Sequence, residues 1–258
     1  MATAQELIQR WDAFLAKIEA RFNDSLMHAE EACKEQLVET DYEYQTVMRS
    51  WGGMKAQMYT LIKKIDETWH AKVGPAMQAL GDFAHDESNK AYELNDKLIT
   101  ALEKFHRKLE GELSQLFYDH AIKIASKEAQ CSQCDATITL QKNIFRAQYI
   151  TCAYCNAVNT VEPETKFVKI GWGVVDNIAA MRHVADYEKM QHAVEAIQDY
   201  RGKAPDAYWE TYEAAYVTYW DKFFKERIML NADAADRLEE DLARKRKEFE
   251  NYKEIQTN

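Results

Sequence analysis

This sequence of 258 residues has little of what interrupts regular structure, since it contains only eight glycines and three prolines. Because glycine and proline interrupt helices and strands, their scarcity favours long, uninterrupted secondary structure. It also lacks any run of the roughly 18 to 20 apolar residues that a helix needs to cross a bilayer. Its first 22 residues carry charges throughout instead of the apolar stretch of a signal peptide. We therefore expect a cytoplasmic protein without a membrane span.

An excess of positive charge is missing as well. The formal net charge is −10, with −6 over residues 1–130, −1 over residues 131–165 and −3 over residues 166–258. Nucleic-acid-binding surfaces are usually basic, because neutralising phosphates supplies much of their affinity. The charge distribution argues against a nucleic-acid partner, unless a local stripe that includes Lys142 and Arg146 provides the contact.

Recognisable catalytic motifs are also absent: there is no G-x-S-x-G, no glycine-rich phosphate loop and no H-E-x-x-H. Two Glu-x-x-His pairs, Glu67–His70 and Glu103–His106, are of the type found in two-metal carboxylate centres of helical bundles. If the chain turned at Gly74-Pro75, the two histidines would lie roughly 40 Å apart along antiparallel helices. Solvated or capping histidines are therefore the favoured interpretation, and we predict no enzyme.

Cysteine is scarce but concentrated. Four of the five cysteines, Cys131, Cys134, Cys152 and Cys155, follow the spacing C-x2-C-x17-C-x2-C, which is typical of a zinc site. Four thiolates give Zn²⁺ a closed tetrahedral shell without an open position, so we predict a structural ion. Iron in a rubredoxin-type site is the less favoured metal, and metal-free or disulfide-bonded cysteines are the alternative. Cys33 lies on an apolar helical stripe and is expected to be a small buried hydrophobe.

Residues 131–165 resemble the zinc-ribbon family. The two knuckles would be CSQCD, Cys131 to Asp135, and CAYCN, Cys152 to Asn156, and the candidate strands are residues 138–140, 148–151 and 158–161. Asp135 and Asn156 stand where the family usually has glycine, but both residue types tolerate positive φ. The resemblance implies short β-strands around one metal ion, and it also implies a role in transcription or translation machinery.

Elsewhere, apolar residues recur every three or four positions, which predicts helices. We predict a mainly α fold: an elongated antiparallel bundle of long, coiled-coil-like helices with an inserted small β zinc ribbon. Residues 1–130 would form a long helical hairpin, with a kink or short break at Gly52-Gly53 and a turn at Gly74-Pro75. After the ribbon at 131–165, residues 166–258 would form an extended linker over KFVKIGWGV and two helices, near 175–200 and 206–255, that pack back on the hairpin.

The segment from Tyr208 to Phe224 places eight aromatic residues in 17 positions. On a helix they fall within an arc of about 160°. A core face is the favoured interpretation. The alternative is an interaction face, because Tyr and Trp are enriched at protein-binding hot spots; it would comprise Tyr208, Trp209, Tyr212, Tyr216, Tyr219, Trp220 and Phe223.

Together these patterns favour a non-enzymatic interaction or scaffold protein with a structural zinc module. Its partner would be another protein, or a second copy bound through the helices. A nucleic-acid-associated zinc-ribbon factor is the second hypothesis, and an enzyme with an unrecognised site is the third.

Overall fold

A computed structural model describes residues 3–81, 84–126, 128–140 and 144–257. The fold is mainly α with a small β insert, as predicted. The helices are α1 (Ala4–Glu39), α2 (Tyr44–Thr68), α3 (Gly74–Gln78), α4 (His85–Ala125), α5 (Thr165–Arg182), α6 (Val184–Gln198), α7 (Asp206–Leu230) and α8 (Leu238–Thr257). The strands are β1 (Ala129–Gln130), β2 (Thr137–Ile138), β3 (Gln148–Thr151) and β4 (Val158–Val161).

The chain divides into two compact units, Met1–Leu109 and Glu110–Asn258, and the boundary falls inside α4. The sequence instead predicted three segments with boundaries near residues 130 and 165. That division into three segments remains a prediction. Among the helices described, none combines the length and the apolar content that crossing a membrane requires.

The first turn of the chain lies at Thr40–Glu43, so the prediction of one helix up to Gly74-Pro75 is wrong. The backbone N–H of Tyr42 donates to the Leu37 carbonyl at 2.8 Å, and Asp41 and Tyr42 both have positive φ, 48° and 59°. Two successive left-handed residues end a helix. The spacing of apolar residues is the same before and after this turn, so it does not indicate that the helix ends there. α2 passes through Gly52 and Gly53, so a break in the helix at these glycines is excluded, whereas a kink there remains a prediction.

In the first unit, residues 1–109, the three long helices α1, α2 and α4 form an up-down-up bundle. Three lysines of α4 contact acids of α1 that are each 78 positions earlier: Asp12–Lys90, Glu19–Lys97 and Glu30–Lys108. A constant offset means that α1 and α4 run parallel. Between α2 and α4 the order is reversed, because Trp51 contacts His106 whereas the later residue Asp66 contacts the earlier residue Asn95. The helix α2 is therefore antiparallel to α4. The predicted two-helix hairpin is therefore corrected to three helices.

Gly74-Pro75 does not end a helix. A π-helical segment, Trp69–Val73, leads from α2 into α3, which carries Pro75 in its first turn. A backbone N–H in the first turn of a helix has no acceptor within that helix, so proline is tolerated at this position. α3 ends at Gln78 and is followed by a turn at residues 79–81, in which Gly81 has φ of +80°. Residues 82 and 83 lie outside the described part of the chain.

In the second unit, α5 begins at Thr165, so the predicted extended linker is wrong. Phe167 is 1% exposed, and its ring lies 5.5 Å from that of Phe117 on the C-terminal part of α4. Val174 and Val175 are buried on the same helix. Glycines and β-branched residues suggested an extended chain, but tertiary packing of an apolar face overrides such weak local preferences.

The remaining helices, α6, α7 and α8, form a second bundle. The single helix predicted for 206–255 is interrupted at Asn231, whose side chain accepts a hydrogen bond from the Asp233 backbone, and a 3₁₀ helix (Ala232–Arg237) leads into α8. Residues near the end of α7 contact the start of α8, as in the pair Arg227–Asp241. The helices α7 and α8 are thus antiparallel. Where the sequence predicted two helices after the ribbon, the structure has four, α5 to α8.

Candidate metal centre

The four cysteines of the ribbon converge in space. All four Sγ atoms lie within 4.8 Å of one another. The Cys131 and Cys155 sulfurs are 3.5 Å apart, and those of Cys134 and Cys152 are 3.7 Å apart. A tetrahedral shell with metal–sulfur bonds of about 2.3 Å places its sulfurs about 3.8 Å apart. The thiols are unbonded to each other, so the group fits a metal ion and not a pair of disulfides.

The two knuckles have matching backbone geometry. In the first, the Cys131 N–H donates to the Ala136 carbonyl at 2.8 Å, and the Cys152 N–H donates to the Ala157 carbonyl at the same distance in the second. Asp135 and Asn156 have φ of 59° and 60°. Both occupy the left-handed conformation that the sequence predicted for them, and the turn directs both cysteines of each knuckle towards one point.

Each knuckle lies beside a short antiparallel pair of strands. β1 pairs with β2 beside the first knuckle, and β3 pairs with β4 across the second, with Thr151 opposite Val158. The strands predicted at 148–151 and 158–161 are confirmed, whereas the one predicted at 138–140 is shorter and ends at Ile138. The segment 141–143 of the ribbon lies outside the described residues.

Backbone amides favour the thiolate form at the first cysteine of each knuckle. Donors from the backbone of Gln133 and then Cys134 lower the pKa of Cys131 to about 6. The backbone N–H of Cys155 is the largest cause that lowers the pKa of Cys152. Hydrogen bonds to a charged form stabilise it. Because a metal ion binds the thiolate form, these backbone donors favour metal binding at Cys131 and Cys152.

Asn159 is a site residue that sequence analysis missed. It is 6% exposed, and its Oδ1 accepts from the Ser132 N–H at 2.9 Å and from the Ser132 hydroxyl at 3.0 Å. Its Nδ2 donates to the Ala157 carbonyl and contacts the Cys131 sulfur at 3.5 Å. One amide therefore joins the two knuckles. Its only signal in the sequence is a polar residue between two valines of a strand, which is too common to identify it.

The predicted aromatic face is core. Trp209, Tyr212, Tyr216, Tyr219 and Phe223 are all under 9% exposed, packed with residues of α6 and α8. Trp220 is half-buried beneath the Lys245 ammonium, 3.9 Å from its ring centre, and only Tyr208 is exposed. Burial thus supports the core interpretation, and these side chains do not form an exposed interaction surface.

Nor do the Glu-x-x-His pairs assemble into a metal centre. Glu103 bonds with Tyr59 and Lys55, while His106 accepts from the Trp51 indole at 2.8 Å. Across the described ranges, the four cysteines are the only group of metal-ligating side chains close enough to hold an ion. Cys33 is fully buried, as predicted, and burial raises the pKa of its thiol to about 11.

The chain was compared with protein-family models, with curated proteins and with solved structures, and none of them matches it. The geometry therefore defines a class of site, a ribbon-like cluster of four cysteines that could hold a metal ion, within a helical protein.

Proposed function

We propose that this protein is a non-enzymatic interaction or scaffold protein, in which a structural Zn²⁺ on Cys131, Cys134, Cys152 and Cys155 stabilises a ribbon that docks another protein. The observation that carries the proposal is the closed sulfur shell beside an exposed, uncharged strand face. A shell filled by four thiolates leaves no position for substrate or water. Such an ion stabilises a structure and does not perform chemistry.

The ribbon has little core of its own, which supports the dependence on a metal. Its buried cluster comprises Cys131, Ile138 and Cys152, with a few partly buried neighbours. Two of these three residues are proposed ligands. When so few apolar side chains are buried, metal binding supplies most of the folding free energy. Zinc is preferred to iron because four thiolates in a closed tetrahedral site suit it without any redox role.

The docking surface that we propose is the ribbon face, which consists of Tyr149, Thr151, Tyr154, Val158 and Thr160. Tyr149 is 75% exposed, Tyr154 is 87% exposed and Val158 is 65% exposed. Register pairs Tyr149 with Thr160 and Thr151 with Val158, so four of the five side chains lie on one side of β3 and β4. Exposed tyrosines beside apolar groups are typical of protein-binding patches.

The charges around the ribbon do not favour a nucleic acid. The ribbon face has no basic side chain, and Arg146, which a basic stripe for nucleic acid would have to include, pairs with Asp233 at 3.0 Å. Lys142 lies outside the described residues. A phosphate backbone would therefore meet no free cation among the ribbon's described side chains, whereas a neutral protein surface could cover the tyrosines without leaving a charge unpaired.

Metal content is tested first. Elemental analysis of the purified full chain is expected to give one zinc per chain, and the Cys134→Ser/Cys155→Ser variant should lose it. Cys33→Ser is the matched control, since it removes a thiol outside the site and should retain the ion. A metal content well below one per chain, or stoichiometric iron, would contradict the zinc assignment.

Docking is tested by affinity purification from the native cell with three forms of the chain. The wild type and a Tyr92→Ser control, which changes a tyrosine that is 77% exposed on α4, should capture the same protein. The Tyr149→Ser/Val158→Ser variant should lose that protein while it keeps one zinc per chain. Capture that is unaffected by the double substitution, or capture of nucleic acid alone, would refute a protein-docking ribbon face.

A further inference from the structure

A groove between α1 and α2 in the first unit has a charge pattern unlike the rest of this acidic chain. It encloses about 530 Å³, within the range of small-molecule sites. Its lining includes three basic side chains and no carboxylate: Arg21, His28 and Lys64, beside Ser25, Ala29, Ala32, Met54, Gln57, Met58, Thr60 and Leu61. In a chain of net charge −10, such a lining is unusual.

Several other cations of the bundle are paired with acids. Lys55, Lys90 and Lys97 each form an ion pair with a carboxylate. Within the residues that the structure describes, Arg21 and Lys64 have no such partner. Two free cations at one site repel each other, and an anion placed between them would remove that repulsion.

Helix register places the two cations at the same end of the groove. α1 and α2 are antiparallel, and Trp11 contacts Trp69, so positions whose numbers add to about 80 lie opposite each other. Arg21 is therefore opposite about residue 60, one helical turn from Lys64. Towards the other end the floor is apolar, formed by Ala29, Met54 and Met58.

We propose that this groove, named here the α1–α2 groove, binds an amphipathic carboxylate, with its head group between Arg21 and Lys64 and its alkyl chain over the two methionines. The distance from Arg21 to Ala32 along α1 is about 16 Å, which accommodates a chain of about ten to twelve carbons. Methionine side chains adapt to flexible apolar ligands. The inference is independent of the metal site and of the ribbon face.

The test uses decanoate, below its micelle concentration, and the zinc-loaded full chain labelled with ¹³C at its methionine methyls. Decanoate should shift the Met54 and Met58 signals in a saturable manner and leave Met190, in the second unit, unchanged. Decyltrimethylammonium, with the same chain and the opposite charge, should bind at least about tenfold more weakly. Shifts confined to other methionines, equal binding of both amphiphiles, or no binding would overturn the proposal.

Charge-matched variants separate the site from the net charge of the chain. Arg21→Gln/Lys64→Gln should weaken decanoate binding about three- to tenfold, because each exposed ion pair changes an affinity by up to about fivefold. Lys17→Gln/Lys63→Gln, on the same helices but outside the groove, changes the net charge equally and should bind like the wild type. Ala32→Trp should block the apolar end. Equal loss in both double variants, or an acidic amphipathic peptide that binds where decanoate does not, would contradict a carboxylate site.

Discussion

Replacing Gly111 with alanine tests the packing of the second unit most directly. Gly111 is buried on α4, where it faces Met181 of α5. A Cβ at this position would lie 2.7 Å from Met181 Sδ and 2.8 Å from Met181 Cγ, and closer still to Met181 Cβ. Unbonded carbon atoms prefer about 3.5 to 4.0 Å. The substitution therefore requires the two helices to separate or the methionine to move.

The magnitude follows from two opposing effects. Overpacking costs about 1 to 3 kcal/mol, and the upper end applies because Met181 Cβ is fixed to its backbone and cannot rotate away. Alanine in a helix interior is favoured over glycine by about 1 kcal/mol. We expect Gly111→Ala to lower the free energy of unfolding by about 2 kcal/mol. In contrast, Gly173→Ala on α5 meets no atom within 4 Å and should stabilise by about 0.5 to 1 kcal/mol.

The assay is urea unfolding of the zinc-loaded chain followed by far-UV circular dichroism, with both alanine variants measured beside the wild type. A third variant, Gly111→Ala/Met181→Ala, removes the Sδ and Cγ contacts but leaves the Cβ contact. It should stay less stable than Met181→Ala alone. If Gly111→Ala proved as stable as Gly173→Ala, or if Met181→Ala restored it fully, α4 and α5 would not pack as closely as described.

Three other contacts can be tested by single substitutions. Asn159→Ala should weaken zinc binding about 10- to 100-fold in a chelator competition, because partners of metal ligands contribute on this scale, and unchanged affinity would contradict its bridging role. Trp51→Phe removes the indole donor to His106 from a buried site and should lower the urea midpoint by the equivalent of about 1 to 2 kcal/mol, with no change expected if that contact is absent in solution. Hydrogen bonding to Lys34 is the largest cause that lowers the pKa of Glu30 from 4.5, so its stabilisation is present above pH 4.5 and lost as pH falls below it. Glu30→Gln should therefore reduce the difference between urea midpoints at pH 7 and pH 3.5, and an unreduced difference would exclude this ion pair as a cause.

The metal site could be predicted from the sequence because its parts are local. Each knuckle is a short turn in which two cysteines, a left-handed residue and two backbone hydrogen bonds lie within six positions. The spacing and the tolerance of Asp135 and Asn156 for positive φ therefore sufficed. Asn159 could not be found in this way, because its role depends on Ser132, 27 positions away. Asn159 becomes part of the site only when both knuckles have folded and Ser132 lies beside it.

The helical architecture was determined by the sequence only in part. Apolar residues at spacings of three and four specified helices, but that period is the same on both sides of a tight turn, so the breaks at Thr40–Glu43 and Asn231 were invisible to it. The helix over KFVKIGWGV and the burial of the aromatic face were decided by contacts between segments distant in the chain. Periodicity identifies which face of a helix is apolar, whereas only the tertiary structure decides what covers that face.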